Sequence, residues 1–121
     1  SNGLYDTLSG RPVFFVRGEV KNRGDKPTRA QVRAEILDGE TSIRHADVWI
    51  GVAATPEDLH SIAVAEDVER LVAKLEKSAA EVMPGEQRGF LVPFYEYPPQ
   101  LQEFRVRVTV LDAGKGETAA R

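Results

Sequence analysis

Phe104-Arg105-Val106-Arg107-Val108-Thr109-Val110 alternates apolar and polar residues without a break. Successive side chains of a β-strand point to opposite faces, so the segment reads as a strand with Arg105, Arg107 and Thr109 turned outward. The same period returns upstream. Phe14, Val16, Gly18 and Val20 alternate with Phe15, Arg17, Glu19 and Lys21, and Ala30, Val32, Ala34 and Ile36 alternate with Gln31, Arg33 and Glu35. Asn22-Arg23-Gly24-Asp25-Lys26-Pro27 between them has the composition of a turn, and two alternating runs about it predict a β-hairpin. Leu37-Asp38-Gly39-Glu40 predicts a second turn and Ile43 to Gly51 a third strand. There Trp49 competes with Val48 and Ile50 for the interior, which a bulge or burial on both faces would reconcile. Phe90, Val92 and Phe94 alternate with Leu91, Pro93 and Tyr95. A proline removes a ladder donor, which places that strand at an edge or a bulge.

Between the third and fourth of these strands the period changes. Thr55-Pro56-Glu57-Asp58 has a capping hydroxyl, a proline suited to the first helical position, and acids at the positive end of the dipole. From about Ala65 to Ala80, Val68, Leu71, Val72 and Leu75 fall at helical intervals after Val64. Met83-Pro84-Gly85 closes the stretch. The pattern predicts a mainly β domain, an antiparallel sandwich with a helical insertion over 55–81 between strands three and four. Residues 1–11 read as a lead-in, with Ser1-Asn2-Gly3 in the style of a cloning scar. The single domain spans 12–112, and 113–121 is expected to be a flexible tail.

At 121 residues there is room for one core, and 41% hydrophobic against 29% charged residues is an ordinary globular balance. Sixteen basic and 19 acidic residues give a net charge of −3 without a basic block, which argues against nucleic acid as a partner. The absence of cysteine removes thiol nucleophiles, disulfides and thiolate metal sites. The longest apolar stretch, Val48 to Ala54, is far short of the roughly 20 residues of a bilayer span, so this segment is expected to make no membrane contact itself. Ser1-Asn2-Gly3 has neither region of a secretory signal, and any anchor or signal is expected upstream.

Val16-x-Gly18-x-Val20-x-Asn22 with its following turn, Trp49-Ile50-Gly51, Thr55-Pro56-Glu57-Asp58-Leu59, Val82-Met83-Pro84-Gly85, and Phe94 through Pro98-Pro99 to Phe104-x-Val106 occur in that order. In order and spacing, from Val13 to Val110, the chain resembles a bacterial domain-of-unknown-function family found C-terminal to a zinc-ribbon finger and a single predicted membrane helix. The resemblance implies an immunoglobulin-like sandwich held on the extracytoplasmic side of the membrane by an anchored parent. It implies no activity. Val52, where the family favours a polar residue, and the short turn at Asp38-Gly39 depart from the pattern.

Few residues suggest chemistry. His45-x-Asp47 puts two donors on one strand face and His60 is the other histidine, too few for a metal site of three or four ligands. His60-Ser61 are adjacent, which points the side chains apart rather than into a nucleophile–base pair. Glu57, Asp58, Glu66, Asp67 and Glu69 suit helix starts better than acid–base work. Gly114-Lys115-Gly116-Glu117-Thr118 lacks the phosphate-loop pattern. Arg17, Arg33, Arg105 and Arg107 point outward, and cross-strand pairing with acids explains them without a ligand, ahead of the sharper reading of an anionic partner. No catalytic, cofactor or metal site is therefore expected. The leading expectation is a non-enzymatic interaction or scaffold module for a protein partner. Its surface would lie on the charged helix face of Glu69, Arg70, Lys74 and Lys77, with the aromatic connection of Tyr95 and Tyr97 as a further contact. The alternative is a small-ligand sensor or carrier that binds between the sheet and the helical insertion, recognisable by a concave apolar site.

Overall fold

The computed structural model describes residues 1–112 and 118–120. Its strands fall in two antiparallel sheets. In the first, β2 (Val13–Asn22) is central, with β5 (Gln87–Phe94) on one edge. On its other edge lie β1 (Asn2–Tyr5) and, further along, β7 (Thr118–Ala120). In the second sheet β3 (Ala30–Asp38) is central, between β4 (Thr41–Trp49) and β6 (Arg105–Asp112). Two helices, α1 (Pro56–His60) and α2 (Ala65–Lys77), lie between β4 and β5. The domain is mainly β.

The alternating residues meet between the sheets. Phe14 pairs with Phe94 and Val16 with Val92 on the inner face of the first sheet. Val32, Ala34 and Ile36 supply the inner face of the second, each at 0% exposure. Burying side chains of this size stabilises the fold by about 1.5–3 kcal/mol for each Val, Ile or Phe. Leu59, Ile62, Leu71 and Leu75 from the helical segment belong to the same continuous core.

Three expectations are corrected. The runs flanking Asn22 do not form a hairpin: β2 and β3 lie in different sheets, because both edges of β2 are already paired. The lead-in contains a strand, β1, whose four residues run beside Val13 to Val16. Within the expected tail, Thr118–Ala120 pairs with Val20 to Asn22, while 113–117 and 121 lie outside the described residues.

Elsewhere competition between local signals is settled by packing. Val48 and Ile50 are buried, while Trp49 turns out under the Arg29 guanidinium, 4.8 Å from its ring centroid. The ladder irregularity is at Ile36 and Leu37 instead. Pro93 sits in β5, which among the described residues pairs with β2 alone and is an edge strand. Gly51 lets the end of α2 come close: a Cβ there would stand 2.3 Å from the Ser78 carbonyl oxygen, and the Ala80 N–H donates to the Ile50 carbonyl at 3.0 Å.

Candidate functional site

The outer face of the first sheet carries exposed Arg17, Glu19 and Lys21 along one part and is apolar along the rest. Phe15 and Leu91 occupy outward positions of β2 and β5, and Val13, Leu91 and Pro93 are buried there. The cover is the segment leading through α1. Thr55 caps this helix: its hydroxyl accepts from the Asp58 N–H at 3.2 Å, and the Asp58 carboxylate accepts from the Thr55 N–H at 2.9 Å. One side of the helix then carries buried Leu59. The segment is tied at its far end by the Leu8 N–H donating to the His60 carbonyl at 2.9 Å, and to α2 by Lys74 Nζ on Asp58 at 3.2 Å.

Segment and sheet do not close completely. A cleft of about 530 Å³ remains between them, within the range of small-molecule sites. Tyr5, Phe15, Ala54, Pro56, Leu59 and Leu91 form its apolar walls, and Arg17 and Glu19 are its charged side chains. Arg17 lies 5.9 Å from the Phe15 ring centroid. Among the described residues neither Arg17 nor Glu19 has a salt-bridge partner. The walls can desolvate an apolar body while the charged pair meets a polar end.

The expected site residues fall in two other clusters. Glu69, Arg70, Lys74 and Lys77 are exposed on α2, but Arg70 pairs with Asp67 of the same helix and Lys74 with Asp58 of α1. The Asp67 carboxylate accepts from the Ala63 and Val64 N–H groups, which holds it below its usual range, with Arg70 adding to the effect. Tyr95 and Tyr97 gather around the start of β2. The Tyr97 hydroxyl donates to the Pro12 carbonyl at 2.7 Å, and its ring is 6.2 Å from that of Phe14. Arg11 stacks on Tyr95 at 4.2 Å and donates to its carbonyl at 2.7 Å. Among the described residues no hydrogen bond or ring contact joins the tyrosines to the helix group.

The weaker candidates are similarly engaged. Arg33 holds Asp47 in a two-pronged pair at 2.9 and 3.0 Å, and His45 stands opposite Glu35. His60 Nδ1 is 3.2 Å from the Asp6 carbonyl while the Ser61 hydroxyl donates to the Glu57 carbonyl, so these neighbours do not address each other. Among the described residues no three His, Asp or Glu side chains are placed to hold a metal ion, and no helix is long and apolar enough to cross a membrane. Arg107 pairs with Glu35 at 3.1 Å, lowering the Glu35 pKa, while Arg17 belongs to the other sheet. The four arginines therefore do not share one face. The Gly114 loop falls outside the described residues except for Thr118.

Compared with protein-family models, curated proteins and solved structures, the chain gives no match.

The cleft residues were not among the candidates named from the sequence, although two of them carry a signal there. Phe15 and Leu91 are large and apolar at positions where an exposed face would carry polar side chains. The segment through α1 that lies over that face accounts for them.

Proposed function

We propose that this is a non-enzymatic binding domain that holds a small, largely apolar ligand in the cleft between the first sheet and α1. The observation that carries this reading is the cleft itself: about 530 Å³, apolar on both walls, with Arg17 and Glu19 as its charged lining. A closed, featureless body would have favoured the scaffold alternative. The protein-interaction reading keeps Glu69 and Lys77, exposed on α2, as its support. It is the weaker of the two, since Arg70 and Lys74 already pair within the domain.

The setting is part of the proposal. The order and spacing of the motifs from Val13 to Val110 support an immunoglobulin-like sandwich, with 55–81 as an insertion, displayed outside the membrane by an anchored bacterial parent. The antiparallel pairing in two sheets is compatible with that architecture.

The test uses anilinonaphthalene sulfonate, an aromatic body with one anionic end, as the probe. Titration should shift amide signals of Phe15, Leu59 and Leu91. Ala53 is exposed and lines the cleft, so Ala53→Trp should fill it and abolish binding while leaving the melting temperature nearly unchanged. Binding that survives Ala53→Trp, or shifts confined to other surfaces, would contradict the reading.

A further inference from the structure

We propose that β6 is a docking edge that accepts an extended segment of a partner protein as an added strand. The segment would carry apolar residues at alternate positions and acidic residues between them.

One ladder isolates the reason. Val106 pairs with Ile36, Val108 with Ala34 and Val110 with Val32, all facing inward. The β3 members are at 0% exposure, whereas Val106, Val108 and Val110 are only half-buried. The difference is a neighbour: β3 has a strand on each side, and among the described residues β6 pairs with β3 alone. Beside the open edge lies a cleft of about 410 Å³, walled by Leu4, Phe14, Ile36, Leu101, Phe104 and Val106. Alternate side chains of an added strand would enter it, and main-chain groups would complete the ladder. The other long edges are less available: β5 carries Pro93, and β4 lies against α2 and β5.

Charge chooses the occupant. The outward row of β6 is Arg105, Arg107 and Thr109. Arg105 is 67% exposed, and its carboxylate partner Glu40, at 3.7 Å, is itself 94% exposed; Arg107 is 51% exposed on Glu35. Acidic residues on an added strand would lie beside this row, where opposite charges are favourable. A second copy fits worse. Antiparallel self-pairing centred on Val106 or Arg107 sets arginine opposite arginine. Centring on Val108, the middle of the strand, sets Arg105 opposite Leu111 and Arg107 opposite Thr109, which avoids the clash but brings no acid to either arginine.

The probes are two short synthetic peptides, one alternating valine with glutamate and one alternating valine with lysine. The Val/Glu peptide should bind and slow hydrogen exchange of β6 amides, and the Val/Lys peptide should bind at least about ten-fold more weakly. A central proline in the Val/Glu peptide should abolish binding, because the ladder cannot form. Arg105→Glu should reverse the peptide preference with little change in melting temperature. Failure of both peptides to bind, or protection at the α1 cleft instead of β6, would overturn the proposal. So would a concentration-dependent dimer with protected β6 amides, which would make a second copy the occupant.

Discussion

Asn22 is fully buried at the point where the chain leaves the first sheet, and every polar atom of its side chain is used. Nδ2 donates to the Lys26 and Val82 carbonyls at 2.7 and 2.8 Å, and Oδ1 accepts from the Gly24 N–H at 2.8 Å. Its main chain adds bonds to Glu86 and Gly85. One amide thus ties the crossing between the sheets to the turn that follows Val82. Asn22→Leu keeps the size but leaves buried partners unsatisfied, and should lower stability by about 2–4 kcal/mol in urea unfolding. The sequence marks this residue as the end of the Val16-x-Gly18-x-Val20-x-Asn22 run and the start of a turn, not as a buried one. Its burial depends on Val82, sixty residues away, and such a contact leaves no local trace.

At the level of elements, the inner residues of the strands were legible because a period of two needs no knowledge of partners. Strand position was not. Phe104 to Val110 has the cleanest alternation in the chain, yet β6 is an edge, and its inner residues are half-buried. Val32→Asp in β3 should bury an unpaired charge and unfold the domain, at a cost of about 4 kcal/mol or more. Val106→Asp should cost clearly less, since the edge leaves the carboxylate a route to water, and Arg105→Asp should be tolerated. Thermal melts of the three variants check the order. The start of α1 was legible through its cap, the Thr55 hydroxyl accepting from the Asp58 N–H, and α2 through the spacing of its apolar residues. Of the cleft that α1 covers only a trace was legible: Phe15 and Leu91 mark an outward face that is covered, but not which segment covers it.

Over the whole molecule the carboxylates set an acid limit. Glu35 is held below its ordinary range by Arg107 and Ser42, Asp58 by the Thr55 N–H and Lys74, Asp67 by the Ala63 and Val64 N–H groups, and Glu86 by the Met83 N–H. A pKa lower in the folded state stabilises above the unfolded value and is lost as protons return to the folded protein. The ordinary values are 3.8 for Asp and 4.5 for Glu, so the melting temperature should be flat from neutrality to about pH 5 and fall below it. For three of the four the largest cause is a backbone N–H, not an ion pair, so added salt should leave most of the fall in place. A fall beginning near neutrality would point to other groups.

Binding in the cleft requires that one ligand touch both layers at once. The direct measurement is a nuclear Overhauser experiment on the protein with methyl-labelled leucines, saturated with anilinonaphthalene sulfonate. Leu59 lies on α1 and Leu91 on β5, and both line the cleft. Contacts from the probe's aromatic protons to the methyls of both leucines are predicted. Contacts only to Leu4 and Leu101, or only to exposed Leu8, would contradict the assignment of the cleft as the binding site.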